Sequence, residues 1–101
     1  MKPLTAREAR HLASKLEGWR IRGKMLEKTY KFKEYKQCVR FFNKIAALAE
    51  KIQHHPDAMV SYGKVVIRLT THDAGGLTAR DFRMAKLINR LERKHVHKAA
   101  G

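Results

Sequence analysis

The sequence predicts a single α+β domain in which a four-stranded antiparallel sheet carries three helices packed on one face. The chain has 101 residues, which is the length of one ordinary domain. Apolar residues recur at helical spacing in three segments, and they alternate at strand spacing in two pairs of short segments. Each pair is joined by a Gly-Lys turn, so the predicted order is α-β-β-α-β-β-α.

The first helix is expected to begin at Thr5. Thr5 and Glu8 have the spacing of a capping box, in which each side chain accepts a hydrogen bond from the backbone N–H of the other residue. Leucines and alanines then repeat at helical spacing as far as Leu16, and Gly18 is placed to end the helix.

The first strand pair is expected between Trp19 and Phe32. The segment from Trp19 to Arg22 is short and alternating, and Gly23-Lys24 has the composition of a tight turn. After that turn, every second residue from Leu26 to Phe32 would share one face of a strand. The segment therefore predicts a β-hairpin.

The central helix, from about Glu34 to Gln53, has the strongest periodicity of the chain. Pro56 follows closely, so the helix is expected to end before it. The apolar stripe that would face the core consists of Cys38, Phe41, Phe42, Ile45, Leu48, Ala49 and Ile52.

The second strand pair is expected at residues 58–62 and 65–71, around a Gly63-Lys64 turn, and a loop follows at 72–76. The segment from Thr78 to Asp81 is expected to start the last helix. Its apolar face would consist of Phe82, Met84, Ala85, Ile88 and Leu91. The predicted domain covers residues 1–101, with a core at about 5–92 and a frayed tail at 93–101.

The composition is strongly basic, with 23 Lys and Arg against nine Asp and Glu. No apolar run reaches the ~18 residues of a membrane span, and the charged N-terminus lacks the apolar segment of a signal peptide. Cys38 is the one cysteine of the chain, which excludes an internal disulfide and a zinc cage built from thiolates. The expected location is the cytoplasm.

Three of the six histidines stand where segments meet. His54-His55-Pro56 closes the central helix, and His72 lies where the last strand enters its loop. Because the hairpin between them folds back on itself, His72 could approach the other two. Three neutral imidazoles could bind zinc, or they could act as general acid and base. The alternative for His54 and His55 is a helix C-cap. Solvated surface positions are expected for His11, His95 and His97.

A motif of histidines and carboxylates extends from Glu50 onwards. The segment from Glu50 to Pro56 has the pattern E-x₃-H-H-P, and it is followed by Thr71-His72 and by Asp81. Further matching residues are Tyr62, Lys64, Gly75 to Thr78, Arg80, Gly18-Trp19 and the run 30–35. In these residues the chain, from about residue 5 to 92, closely resembles the pterin-4a-carbinolamine dehydratases.

The resemblance implies a hydro-lyase that converts 4a-hydroxytetrahydropterin into quinonoid dihydropterin and water, with no metal and no organic cofactor. The 4a-hydroxyl must receive a proton and N5 must lose one, and histidine suits both tasks near neutral pH. By the resemblance, His54, His55 and His72 are the catalytic residues. His54 and His72 would transfer protons, and His55 would help to hold the pterin.

Four more residues are expected to support the site or bind substrate: Glu50, Pro56, Thr71 and Asp81. Glu50 lies one helical turn before His54, where it could orient that histidine or pair with a base such as Lys51. Asp81 is at the third position of a helix start, where capping is the simplest role. The resemblance adds a bond from Asp81 to a histidine or a pterin nitrogen, and it places Thr71 in the loop wall.

The sequence departs from the resembled family directly after Pro56. The family usually carries an acidic residue and two bulky aromatic residues there, whereas this chain has Asp57-Ala58-Met59-Val60. The loss of an aromatic side chain beside the site would enlarge the pocket or alter how the pterin stacks. The difference therefore bears on which pterin is accepted more than on the type of reaction.

The basic charge supports a second interpretation, a nucleic-acid-binding or transcription-cofactor module. Attraction to nucleic acid needs no base-specific contact, and some dehydratases of the resembled family also act as dimerisation cofactors for a transcription factor. No helix-turn-helix, RNP or zinc-finger pattern is present, so such binding is expected to be weak and non-specific.

The partners predicted are a pterin substrate and further copies of the chain. A homodimer or homotetramer is expected because the uncovered face of the sheet and its open edges need protection.

Overall fold

The structure, a computed structural model, describes residues 1–100, and for residues 96–100 it describes the helical backbone alone. The elements are α1 (Ala6–Ala13), β1 (Arg20–Arg22), β2 (Met25–Lys31), α2 (Tyr35–Ile52), β3 (Asp57–Ser61), β4 (Lys64–Leu69) and α3 (Ala79–Ala100), with a short 3₁₀ helix at His72–Ala74. This order is the predicted α-β-β-α-β-β-α. Within the described residues, no helix combines the length and the apolar content that crossing a membrane requires.

The four strands form one antiparallel sheet in the order β1-β2-β4-β3. The two central strands, β2 and β4, place Tyr30 opposite Val65, and the edge strand β3 places Val60 opposite the same residue. Alternate side chains of the central strands are buried on one face, among them Leu26, Ile67 and Leu69. The helices cover this face, so the predicted α+β architecture is confirmed.

The apolar stripe of α2 crosses this face of the sheet. Four of its residues are buried: Cys38, Phe41, Ile45 and Ala49. The Phe41 ring lies against the rings of Tyr30 and Phe32, with centroids 4.9 and 5.2 Å away. A fully buried side chain of this size contributes about 1.5–3 kcal/mol by leaving water. This packing fixes α2 on the sheet and thereby fixes the position of its C-terminal end, where the histidine pair follows.

The first helix begins as predicted and ends earlier. The Glu8 N–H donates to Thr5 Oγ1 at 3.1 Å and the Thr5 N–H donates to Glu8 Oε1 at 2.8 Å, so the capping box is confirmed. The helix ends at Ala13 rather than near Gly18, because the next backbone hydrogen bonds span three residues and tighten the chain into turns. Gly18 adopts a left-handed conformation with φ 81° and directs the chain into β1.

The last helix continues to Ala100, through residues that were expected to fray. His95 is buried, so its prediction as a surface residue is wrong. Its ring packs against two core phenylalanines, and its Nδ1 accepts a hydrogen bond from Lys44 Nζ at 3.1 Å. Burial and the neighbouring charge of Lys44 lower the pKa of His95, which keeps the ring neutral in this apolar setting. His97 lies outside the residues whose side chains are described.

The face of the sheet away from the helices carries a buried carboxylate. Glu27 is 5% exposed, and its oxygens lie 2.7 Å from Arg68 Nε, 3.2 Å from Arg22 and 3.6 Å from Arg20. The hydrogen bond from Arg68, joined by that from Arg22, lowers the pKa of Glu27. The positive charges of Arg20, Arg22 and Arg68 are therefore partly neutralised by the Glu27 carboxylate.

Candidate active site

The end of α2, the end of β4 and the start of α3 meet at one end of the sheet. The chain leaves α2 through Gln53, which has the left-handed angles φ 55° and ψ 46°. Such angles are uncommon for a residue with a side chain. Two hydrogen bonds stabilise them here. An Arg80 guanidinium N–H donates to the Gln53 carbonyl at 3.0 Å, and the His54 N–H donates to the Ala49 carbonyl at 3.1 Å. This turn directs His54 towards α3.

His54 is buried and bonded to a carboxylate that is itself fully buried. His54 Nε2 lies 2.7 Å from Asp81 Oδ1, and the two residues are 7% and 0% exposed. The second oxygen, Oδ2, accepts hydrogen bonds from Thr71 Oγ1 at 2.7 Å and from the Thr78 N–H at 2.9 Å. A carboxylate held in this way fixes the ring orientation of the histidine, and it fixes the tautomer by accepting the Nε2 proton.

Asp81 serves both of the roles that its sequence position allowed. It is the third residue of α3, and by accepting the Thr78 N–H it satisfies a backbone donor before the first turn of the helix. The same carboxylate bonds His54, which lies 27 residues earlier in the chain. Because Thr71 at the end of β4 also donates to it, Asp81 joins α2, β4 and α3 at a single point.

His55 forms a pair with Glu50 on the outside of the molecule. His55 Nε2 and Glu50 Oε2 are hydrogen-bonded, and their side chains are 57% and 74% exposed. Of the two roles left open for Glu50, the structure shows pairing with a surface base, which is His55, and not a bond to His54. The left-handed turn at Gln53 ends the helix, so His54 no longer occupies the helical i+4 position and His55 comes within reach of Glu50. An exposed pair of this kind adds little to stability.

His72 follows Thr71 directly and begins the short 3₁₀ helix after β4. Its side chain is exposed, and within the described residues it makes no hydrogen bond to His54 or His55. The loop behind it is closed by the paired backbones of Thr71 and Gly76, with N–H···O distances of 3.1 and 3.3 Å. The antiparallel hairpin returns Thr71 to the carboxylate that His54 binds, whereas the approach of His72 to the other two histidines stays a prediction.

The four residues expected to support the site hold different positions. Asp81 and Thr71 belong to the buried network, Glu50 lies outside it, and Pro56 is half-buried in the link from α2 to β3. Thr78 is a further residue of the network that was not among the predicted site residues. Its hydroxyl lies 2.8 Å from Thr71 Oγ1 and donates to it, because the Thr71 proton is already given to Asp81. The T-x-x-D spacing before the last helix was the available signal.

A cleft of about 460 Å³ lies beside the loop that carries His72. Gly75, Gly76 and Leu77 line it on the loop side, and the N-terminal segment, α1 and the β1–β2 hairpin line the rest. None of the three predicted catalytic histidines lines this cleft. Among the residues whose side chains are described, no three His, Cys, Asp or Glu side chains are grouped to hold a metal ion. The polar groups that do converge at this end of the sheet are an imidazole, a carboxylate and two hydroxyls, all of which carry or orient protons.

Comparison with known proteins assigns this arrangement to a family. The family model described as pterin 4 alpha carbinolamine dehydratase matches residues 2–91. The chain belongs to this family. The resemblance predicted from the histidine motif is therefore confirmed, and a dehydratase of this family is a hydro-lyase.

Two relatives that carry the pterin-4-alpha-carbinolamine dehydratase name are similar over nearly their whole length. The one from Sulfurisphaera tokodaii is 45% identical over 91 residues, which cover 90% of this chain and 98% of the relative. The one from Trichormus variabilis is 48% identical over 84 residues, which cover 83% and 90%. These relatives lie within the same family, and each matches more than four fifths of this pterin dehydratase.

Two solved structures share the fold. One, described as a transcriptional coactivator/pterin dehydratase from Brucella melitensis, has a TM-score of 0.85 and 31% identity, and the match covers 90% of this chain and 99% of that one. The other is a pterin dehydratase-like protein described as a RuBisCO assembly factor in the alpha-carboxysome. It has a TM-score of 0.65 and 29% identity, with 75% and 90% covered. The fold of this dehydratase family is thus found in proteins whose descriptions name different roles.

Proposed function

We propose that this pterin dehydratase converts a 4a-hydroxytetrahydropterin into the quinonoid dihydropterin and water, with histidines carrying the protons. The observation that supports this most is the 2.7 Å hydrogen bond between His54 and the buried Asp81. A buried histidine held by an anchored carboxylate is an arrangement typical of acid–base catalysis. It stands in the segment that supplies the histidines of the family motif.

The reaction requires one proton to be given and another to be taken. The C4a–O bond breaks as the hydroxyl accepts a proton and leaves as water. The N5 lone pair forms the C4a=N5 double bond, and N5 then releases its own proton. Two proton carriers placed on the two groups therefore accelerate the step, and each contributes about 10²–10⁴-fold.

His54 is suited to accept the proton from N5. Its Nε2 is engaged with Asp81, which leaves Nδ1 as the nitrogen without a hydrogen bond to a described residue. When Nδ1 takes a proton, the ring becomes an imidazolium whose charge lies against the Asp81 carboxylate. That ion pair stabilises the protonated intermediate state without moving either side chain.

His72 and His55 would complete the site from its exposed side. His72, which has no carboxylate partner among the described residues, is suited to donate a proton to the leaving hydroxyl. The exposed His55–Glu50 pair would hold the pterin ring by hydrogen bonds. Ala58 and Met59 are both exposed after the histidines, in place of bulky aromatic residues, so the pterin would meet a wider entrance.

Activity is expected to persist after treatment with EDTA. The proposed route moves two protons between histidines and substrate, and it assigns no step to a metal or an organic cofactor. The test is stopped-flow measurement of 4a-hydroxytetrahydropterin dehydration before and after chelation, together with the metal content of the purified protein. One zinc per chain that is required for turnover would contradict the proposal.

We also propose that the chain forms a homodimer or a homotetramer. The sheet has two open edges, β1 and β3, and Met59 on β3 is 53% exposed. Unpaired strand edges and exposed apolar side chains are covered in many proteins by a second copy. Size-exclusion chromatography with light scattering is expected to give two or four times the mass of 11.7 kDa. A monomer at micromolar concentration would contradict this expectation.

A further inference from the structure

A pair of exposed tyrosines stands at the end of the sheet opposite the histidines. Tyr35 opens α2, and Tyr62 lies in the turn between β3 and β4. Their rings stack with centroids 6.4 Å apart and planes 20° from parallel, although Tyr35 is 50% exposed and Tyr62 74% exposed. A hydrogen bond of 2.9 Å from the Phe32 N–H to the Gly63 carbonyl ties the two segments together. Two aromatic faces are thus held parallel in contact with water.

Four exposed lysines lie within four residues of one of the two tyrosines along the chain: Lys31, Lys33, Lys36 and Lys64. We call these four and the two tyrosines the tyrosine patch. Lys31 and Lys64 are direct cross-strand partners, an arrangement of like charges that destabilises a sheet. Within the described residues, none of the four forms an ion pair with a carboxylate, whereas the arginines near the first hairpin share Glu27. The one acid in this stretch is Glu34, so the patch keeps a net positive charge.

We propose that the tyrosine patch binds single-stranded nucleic acid. Bases would stack on the exposed faces of Tyr35 and Tyr62, and phosphates would lie against the lysines. Stacking on aromatic side chains accepts any base, while a basic surface follows the backbone, so the binding would not depend on sequence. A duplex keeps its bases stacked inside, which leaves the tyrosines unused. The net charge of +14 adds long-range attraction for any polyanion.

The patch and the histidines are separate sites. β3 starts next to His55-Pro56 and ends at the tyrosine turn, and its five residues span about 16 Å. A pterin at one end therefore leaves the other end open to a strand of nucleic acid.

The test is fluorescence anisotropy with the full chain and labelled oligouridylate and oligothymidylate of about 20 nucleotides, and with a duplex of equal length, at about 50 mM salt. Both single strands are expected to bind more tightly than the duplex. The Y35A/Y62A variant removes the stacking faces at unchanged charge, and it is expected to raise Kd for the single strands about tenfold or more. The logarithm of the affinity should fall by about 0.7 per phosphate contact for each tenfold rise in salt.

Two double lysine variants distinguish binding at the tyrosine patch from attraction by the overall charge of the chain. The K31Q/K64Q variant is expected to reduce the salt slope by about 1.4, the value for two lost contacts. The K15Q/K86Q variant removes the same charge beside the cleft between α1 and α3, and it is expected to keep the slope. Thermal melts followed by circular dichroism check that each variant is folded.

Several outcomes would overturn the proposal. They are an absence of binding at low salt, duplex bound as tightly as single strands, and Y35A/Y62A binding like the unmodified chain. Equal losses in the two lysine variants would show that only the overall charge matters. If Y35A/Y62A instead lowers the oligomeric mass in light scattering while single-strand affinity is retained, the patch is a contact between copies of the chain.

Discussion

Replacing His54 with glutamine is expected to lower kcat for dehydration by about 10²–10⁴-fold while the fold persists. Glutamine can still donate an N–H to Asp81 Oδ1, which His54 reaches at 2.7 Å, so the buried carboxylate keeps a partner. It cannot accept and release a proton at neutral pH, so the loss reports on proton transfer rather than on folding. His72→Ala is expected to lose a similar factor, because the exposed ring is the proposed donor to the leaving hydroxyl. Stopped-flow turnover with unfolding curves for each variant measures both effects.

Two other histidines provide the controls for this experiment. His11→Ala changes an exposed histidine of α1 and is expected to leave kcat and KM unchanged. His55→Ala is expected to act mainly on KM, because the His55–Glu50 pair is assigned to holding the pterin. Full activity in His54→Gln or in His72→Ala would remove that residue from the proposed mechanism.

Most of the fold follows from local patterns in the sequence. The capping box at Thr5 can be recognised from four consecutive residues, and the buried stripe of α2 can be recognised from helical periodicity alone. The prediction of a surface position for His95 was wrong, because burial of this histidine depends on which aromatic side chains α3 meets. Glu27 is buried for a similar reason. Its environment is made by arginines on the two strands that flank β2, Arg20 and Arg22 on β1 and Arg68 on β4, and no single segment contains that information.

The residues of the candidate site were easier to predict than the hydrogen bonds between them. The family motif brings in His54 and Asp81, but nothing in the local spacing shows that they bond to each other across 27 residues. The helical i+4 rule pointed from Glu50 to His54 and failed, because the left-handed residue Gln53 ends the helix between them. No local sequence pattern marked Gln53 as a residue that would adopt the left-handed conformation. The partners of the histidines therefore depend on how α2 ends, which tertiary contacts such as the Arg80 bond decide.

Replacing Asp81 with asparagine is expected to lower kcat by about 10²-fold or more while changing KM less than about threefold. Asp81 is fully buried and would not touch the pterin, so it acts as a positioning residue through His54. Asparagine keeps the size of the side chain but replaces one acceptor oxygen with an N–H group and removes the negative charge. One of the three donors that Asp81 now satisfies then faces another donor, and the imidazolium of His54 loses its counter-charge.

The Asp81→Ala variant tests the structural side of the same residue. It leaves His54, Thr71 and the Thr78 N–H without their acceptor in a buried setting, and it is expected to cost about 3 kcal/mol or more of the free energy of unfolding. Glu17→Gln, at an exposed carboxylate between α1 and β1, is the control and should change neither stability nor kcat. A separate measurement, of the ¹⁵N shifts of the histidine rings by NMR, reports the tautomer of His54. In the unmodified chain the proton should reside on Nε2, and in Asp81→Asn that preference should be lost. If Asp81→Asn keeps both the tautomer and kcat, Asp81 is a helix cap alone and the carboxylate has no part in positioning His54.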